Sequence, residues 1–371
     1  MSAFHFNLDA TDGGARAGTL HTPHGVCTTP MFMPVGTRAA MKVMTVADLR
    51  AAGAGIVLSN AYHLMQRPGV DVVRELGGLH QFMGWDGPML TDSGGYQVFS
   101  LAHRRKMDAD GVTFQSEIDG ATLRFTPESV VEIEEALGAD IIMPLDHCIE
   151  YPAEKDAVAR AVETTVRWAR RSVAHRTRDD QALFPIVQGG IHADLRIECA
   201  EALVELDAPG YAAGGFSVGE PSAETWDVLR ATTGVLPTDR PRYLMGVGTP
   251  EDFLDAVACG IDMMDCVLPT RNARHKHAHT WNGTLRMRNL KHARDPRPLD
   301  EICPCPTCRT HSRGYLRHLS QVDEPLVWTL LAVHNVTFML ELARATRCAV
   351  EQGEFTAFRA TTLARLSATA S

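Results

Sequence analysis

The chain has 371 residues, with 36 Lys plus Arg against 45 Asp plus Glu and a formal net charge of −9. Its 45% hydrophobic and 22% charged residues exclude disorder and coiled coil, and the average charge alone argues against nucleic-acid binding. No secretory leader and no apolar run of the ~20 residues that cross a bilayer is read from the sequence, so a cytoplasmic protein without membrane contact is expected; nine cysteines are too few for a disulfide scaffold.

In chain order, residues 4–9 and 16–21 flank Asp12-Gly13-Gly14, a hairpin signal. From Pro30 onward, short apolar runs alternate with segments of helical period. The runs at 31–35, 55–59, 88–91, 140–145, 183–187, 211–218, 242–247 and 261–267 have the character of buried parallel strands. Thr126-Pro127-Glu128 and Thr249-Pro250-Glu251 carry helix-start signals. Eight strands with helical crossovers predict an α/β fold, a (β/α)8 TIM barrel. The expected division is an N-terminal antiparallel hairpin cap (1–29), a catalytic barrel (30–270), a basic metal-binding subdomain (271–350) and a C-terminal helix and tail (351–371).

Most of the runs close on a polar residue or glycine: Asn60, Asp92, Asp146, Gln188 with Gly189 and Gly190, Gly219, Gly246 to Gly248, and Asp265 within the last. Any one of these could merely start a turn. As a set they converge on the face where a parallel barrel builds its active site.

Beyond the eighth run helical periodicity fades and basic residues crowd in. Residues 271–320 hold eleven Lys or Arg and three acids, a local charge of +8 that leaves −17 for the rest. Two readings fit: a polyanion docks on this face, or the cations form a solvated surface neutralised by acids elsewhere. The same segment contains Cys303, Cys305 and Cys308, followed by His334 in a helix candidate over 326–342. A lone histidine on an apolar face is usually a core residue. Beside three clustered cysteines, the better reading is a Cys3His site for one structural Zn2+.

Thr91-Asp92-Ser93-Gly94-Gly95-Tyr96-Gln97-Val98-Phe99-Ser100 and Asp262-Met263-Met264-Asp265-Cys266-Val267-Leu268-Pro269-Thr270-Arg271 carry the remaining chemistry. With Val187-Gln188-Gly189-Gly190, Gly214-Gly215-Phe216-Ser217-Val218-Gly219-Glu220 and the cysteine cluster, they resemble the bacterial tRNA-guanine transglycosylases across nearly the whole chain. The resemblance implies exchange of guanine at wobble position 34 of GUN-anticodon tRNAs for the 7-deazaguanine preQ1, in queuosine biosynthesis. It makes Asp265 the nucleophile that forms a covalent ribosyl intermediate, and Asp92 the general acid/base, oriented by Asn60 and Gln97.

For the base, the resemblance implies Asp146 on the guanine N1 and N2 donors, with Gln188 and the Gly215 N–H on O6. Tyr96 and Met245 would stack on the ring, the Phe216 carbonyl would take the preQ1 amine, and Ser93, Gly94 and Gly95 would line the pocket. Cys148 and Val218 match the bacterial pattern that leaves little room for the bulky cyclopentenediol of queuine. Contacts to the tRNA anticodon loop would come from Gly246, Val247, Gly248, Thr249, Pro250, Glu251 and Asp252, and from Thr270, Arg271, Asn272, Ala273 and Arg274. A homodimer is implied as well.

The chain departs from the family pattern at His147 (commonly Glu), Phe216 (Leu), Ala61 (Thr) and His275-Lys276 (Asn-Gly). None of these removes a proposed catalytic group. Three competing readings are a transglycosylase for queuine, an archaeosine precursor or DNA; a noncatalytic RNA-binding paralogue; and a barrel glycosidase for free sugars. The presence of both Asp92 and Asp265 argues against the second, and the arginines and stacking residues argue against the third.

Overall fold

The computed structural model describes residues 4–100, 105–216, 219 and 222–368. All eight expected barrel strands form. They are β4 (Met31–Pro34), β5 (Val57–Asn60), β6 (Met89–Asp92), β10 (Ile141–Ile142), the split strand β11 (Ala182–Leu183) and β12 (Ile186–Val187), β13 (Tyr211–Ala213), β14 (Arg242–Leu244) and β15 (Met263–Cys266). Every pairing among them is parallel, in the orders β11-β10-β6-β5 and β12-β13-β14-β15-β4. A parallel bridge from Val35 to Leu58 joins β4 to β5. On the other side, the Phe184 N–H donates to the Ile142 carbonyl and the Ala212 N–H to that of Pro185, so the pairings return to their starting strand. Pro185 accounts for the split, because it has no N–H to give to the ladder. Inward side chains such as Met33, Leu58, Leu90, Ile141, Phe184, Ala212, Tyr243 and Met263 fill the interior.

The expected hairpin cap is a three-stranded antiparallel sheet: β1 (His5–Asp12), β2 (Ala15–Thr22) and a strand the sequence reading passed over, β3 (Gly25–Thr29). A second antiparallel sheet was not expected at all. It consists of β7 (Arg105–Asp108), β8 (Gly111–Gln115) and β9 (Thr122–Phe125), inserted after β6. Both expected helix starts are capped. The side chains of Thr126 and Thr249 accept from the backbone N–H of Ser129 and Asp252, opening helices Pro127–Leu137 and Pro250–Ala258.

After β15 the chain is more regular than the fading periodicity suggested. Helix Leu268–Arg274 precedes a hairpin, β16 (His277–Thr280) and β17 (Gly283–Arg286), and then helices Pro306–Thr310, Arg313–Gln321 and Leu326–Glu351. The last of these corrects the reading that no apolar run approaches membrane-spanning length. By length and composition it could cross a bilayer, yet 72% of its apolar window is buried inside the fold. Its residues enter several core clusters: Val327 and Leu331 under the β16–β17 hairpin, Val336 and Leu340 against the helices around β5 and β6, and Phe338, Met339 and Leu342 against the β13–β15 side. Arg347 near its end donates to the carbonyls of Gly18 and Thr29 and pairs with Asp9, fastening the helix to the N-terminal sheet. This one helix spans the expected boundary at residue 350.

At the foot of the barrel, Asp262 is fully buried and held by the Arg16 guanidinium at 3.1 Å and the Arg242 N–H at 2.9 Å. Removing one partner of a buried ion pair leaves the other charge uncompensated. Arg16→Ala is therefore expected to lower unfolding stability by about 3–5 kcal/mol in urea titration, whereas Arg16→Met combined with Asp262→Asn should recover part of that loss.

Candidate active site and metal centre

The C-terminal ends of the barrel strands surround a cavity of about 520 Å³, within the size of small-molecule sites. Register puts its chemistry in place: Asn60 at the end of β5 pairs directly with Asp92 at the end of β6. The Asn60 amide donates to Asp92 Oδ2, as does Gln97 Nε2 at 3.3 Å. Asp92 Oδ1 is buried without a hydrogen-bond partner. Burial pushes the Asp92 carboxyl up to about 7; the nearby Asp265 charge adds to this, and the Asn60 and Gln97 donors oppose it.

Asp265, on β15, is held differently. The Tyr243 hydroxyl donates to its Oδ1 at 2.6 Å and the Gly246 N–H at 2.7 Å. Burial raises this carboxyl too, but both donors favour its charged form. Because both converge on Oδ1, Oδ2 is left for chemistry. Asp92, which burial and the Asp265 charge raise to about 7, is suited to carry a proton, and Asp265, held by two short bonds from a hydroxyl and a backbone N–H, to carry charge. Tyr243 was missed in the sequence, although it lies in the predicted seventh strand two residues before Met245.

Asp146 lies on the same wall, 2.6 Å from Gln188 Nε2. Burial raises its carboxyl to about 6, against the Gln188 donor. Gln188 thus spends one amide hydrogen on Asp146, and its Oε1 lies where a Cβ on Gly215 (φ 70) would come within 2.3 Å. Gly95 is required in the same sense: its Cβ would stand 2.7 Å from Asp146 Oδ1. Ser93, Gly94, Tyr96, Cys148, Phe216 and Met245 also line the cavity. Tyr96 is 57% exposed at the mouth, whereas Phe216 is buried beneath the Arg196 guanidinium, 3.7 Å from its ring centroid. Val218 lies outside the described residues. His147 stacks on Phe99, and burial, with Arg105 nearby, lowers it to about 4, so a neutral imidazole stands at this position.

Of the residues expected to meet RNA, Gly246, Gly248, Asp252 and Arg271 line the cavity. Glu251 is exposed, and Thr249 caps its helix. The side chains of Val247, Pro250, Thr270 and Ala273 are buried, and the Asn272 amide lies 3.2 Å from His279 Nε2. Arg274 donates to the Thr270 carbonyl. Two cations the sequence reading did not single out, Arg38 and Lys42, stand with Arg271 and Arg274. Burial and the positive field of these three arginines depress the Lys42 ammonium, and no carboxylate pairs with any of the four among the described residues. In the basic segment itself, Lys276 and Arg288 pair with Asp323, and Arg297 and Arg313 with Asp295. Acids thus pair four of the eleven cations, two of them through Asp323 outside the segment, while Arg271, Arg286, Lys291, Arg294 and Arg309 stay exposed at the surface.

The cysteine cluster meets His334 as expected. Its Nδ1 lies 3.5, 3.5 and 3.3 Å from the sulfurs of Cys303, Cys305 and Cys308. An ion ~2.3 Å from sulfur and ~2.0 Å from nitrogen in a tetrahedron sets that edge at about 3.5 Å. His334 Nε2 lies 2.6 Å from the His279 carbonyl, which can only accept, so the proton is on Nε2 and the Nδ1 lone pair faces the sulfurs. The four residues are therefore built to hold one metal ion.

A parallel barrel with two buried carboxylates in one cavity at the C-terminal ends of its strands is the construction of a barrel enzyme. The family described as Queuine tRNA-ribosyltransferase matches residues 11–368. Proteins of that name from Gloeobacter violaceus (53% identical over 358 residues, 95% of each chain), Thermosynechococcus vestitus (52% over 346 residues, 93% of this chain and 92% of that one) and Listeria innocua (50% over 362 residues, 97% and 96%) are similar throughout. The chain belongs to the queuine tRNA-ribosyltransferase family and is an enzyme of the glycosyltransferase type.

Elemental analysis is expected to find one tightly held metal ion per chain. His334→Ala and Cys305→Ser should each lose it and lower the Tm, because the ion joins the 303–308 loop to the long core helix.

Proposed function

We propose that this enzyme exchanges guanine at position 34 of GUN-anticodon tRNAs for preQ1, as a step of queuosine biosynthesis, through a covalent Asp265–ribosyl intermediate. The observation that carries this reading is the placement of Asp92 and Asp265 in one cavity, each buried and held by its own pair of donors, within a chain of this family. Asp265 Oδ2 attacks the anomeric carbon, the glycosidic C–N bond breaks, and the electron pair leaves with guanine, which takes the proton of Asp92. The ring nitrogen of the incoming base then attacks the same carbon, the ester C–O bond breaks, and the Asp92 carboxylate receives the proton. Two inversions give overall retention.

Asp146 accepts from the base N1–H and N2–H once Gln188 has turned toward O6, and Tyr96 and Met245 take the two faces of the ring. Cys148, buried in the wall, keeps the pocket small, which favours preQ1 over queuine. Arg38 and Lys42, added to Arg271 and Arg274, give the mouth four cations without acidic partners, a surface suited to anticodon-loop phosphates. The metal is Zn2+: the thiolate-rich donor set prefers it, and with all four positions filled by protein its part is structural. A homodimer, one subunit reacting while the other orients the tRNA, fits the family.

Denaturing electrophoresis with cognate tRNA should trap a covalent adduct that Asp265→Asn abolishes; an adduct persisting in that variant would remove Asp265 as nucleophile. Since burial places Asp92 near 7 and the acid must start protonated, the single-turnover rate of adduct formation should fall as pH rises through about 7. Replacing Arg38 and Lys42 by Gln should weaken tRNA binding and reduce the slope of log affinity against log salt by roughly one per lost phosphate contact, with preQ1 affinity unchanged.

A further inference from the structure

The foot of the barrel, opposite the reacting face, holds a second cluster of metal-ligating groups. Asp140 stands at the start of β10, His80 on helix Gly78–Met83, and His24 in the turn between β2 and β3. His24 Nδ1 is 2.8 Å from Asp140 Oδ1, and His80 Nε2 is 3.2 Å from Asp140 Oδ2. The imidazoles stack on each other, centroids 3.7 Å apart and planes 18° from parallel. One nitrogen of each ring and a carboxylate oxygen all lie within 4.8 Å of one another.

Charge is the second observation. The Asp140 side chain is wholly buried, yet its partners are the two imidazoles and the N–H groups of Met89 and His24; among the described residues no arginine or lysine pairs with it. Asp262, the other fully buried carboxylate at this end, has Arg16. With both rings neutral, the Asp140 cluster keeps one uncompensated negative charge in a desolvated place. We propose that His24, His80 and Asp140 form a second cation site, for a divalent transition ion of the zinc or nickel class. Two imidazoles and one carboxylate suit such ions, whereas magnesium and calcium prefer all-oxygen shells.

The spacing is close to what the ion needs. Ligands ~2.0–2.1 Å from a tetrahedral centre stand about 3.3 Å apart, so the His80–Asp140 edge is nearly in place. His24 lies nearest the other Asp140 oxygen, so its ring must swing toward an ion on Oδ2 and tilt out of the stack, which its 42% exposure permits. Each ring then carries its proton on the nitrogen facing away, so a neutral ring gives up no net proton on binding. Water completes the shell on the exposed side, and the nearby Asp180 carboxylate adds a favourable field. The bound ion would clasp the N-terminal sheet to a helix and to the barrel, independently of the reaction.

The test titrates Zn2+, and separately Ni2+, into protein whose Cys3His site is already filled, following heat release and Tm. The wild type should bind one further, weaker equivalent and gain a few degrees in Tm. His24→Ala, an exposed position whose loss leaves the fold intact, should weaken that equivalent at least tenfold and remove the gain in Tm, and His80→Ala should do the same. No further equivalent in the wild type would overturn the proposal. So would one that persists unchanged in His24→Ala, because it would then belong to other surface histidines.

Discussion

Two carboxylates forced together out of water govern the architecture of the reacting face. In a desolvated cavity burial raises both carboxyls, and the Asp265 charge raises Asp92 further. The barrel resolves the conflict through the donors it offers each one. Tyr243 and Gly246 give Asp265 two short hydrogen bonds on one oxygen. Asp92 receives the amides of Asn60 and Gln97 and keeps a buried oxygen without a donor. Parallel register is what makes this possible, since the C-terminal ends of β5 and β6 bring Asn60 and Asp92 side by side, and β14 and β15 pair Tyr243 with Met263, from where its hydroxyl reaches Asp265 two residues on.

The barrel was legible in the sequence because fully buried parallel strands leave continuous apolar runs, and all eight emerged at the expected places. The parts that escaped are those whose signal is weaker in physical terms. The β7–β9 sheet buries only one face: Val112, Phe114 and Phe125 face inward while Lys106, Asp108 and Arg124 face water, so no run stands out. The split at Pro185 passed unnoticed within an otherwise continuous run. Asp92, Asp146, Gln188 and Asp265 could be singled out because they end strands. Tyr243 could not: an aromatic residue inside a strand looks like core until its hydroxyl is seen to reach a carboxylate. Arg38 and Lys42 lie in a loop after β4, where nothing in the local pattern separates a rim cation from any other exposed one.

Charge segregation needed the same correction. The +8 of residues 271–320 already counts Asp295, which pairs with Arg297 and Arg313, and Asp323 beyond the segment takes Lys276 and Arg288, so the segment is less exposed as a polycation than its composition suggests. What matters at the cavity mouth is a smaller group drawn from two distant parts of the chain, Arg38 and Lys42 from one and Arg271 and Arg274 from the other. Four like charges brought together without acids raise the energy of the free protein. Such an arrangement persists where a polyanion relieves it.

The long helix Leu326–Glu351 explains why the metal centre and the barrel cannot be treated as separate modules. His334 sits on it, and the next residue, Asn335, reaches back to the Pro269 and His277 carbonyls and accepts from the His279 N–H. His279 in turn gives its carbonyl to His334 Nε2. Pro269 lies four residues beyond Asp265, in the helix that presents Arg271 and Arg274. The metal ligand, its orienting carbonyl and the helix following Asp265 are thus linked through one buried asparagine. A Cys3His centre of this kind contributes no reacting group, yet it fixes where the arginines beside the cavity stand. Its role in function runs through position rather than chemistry.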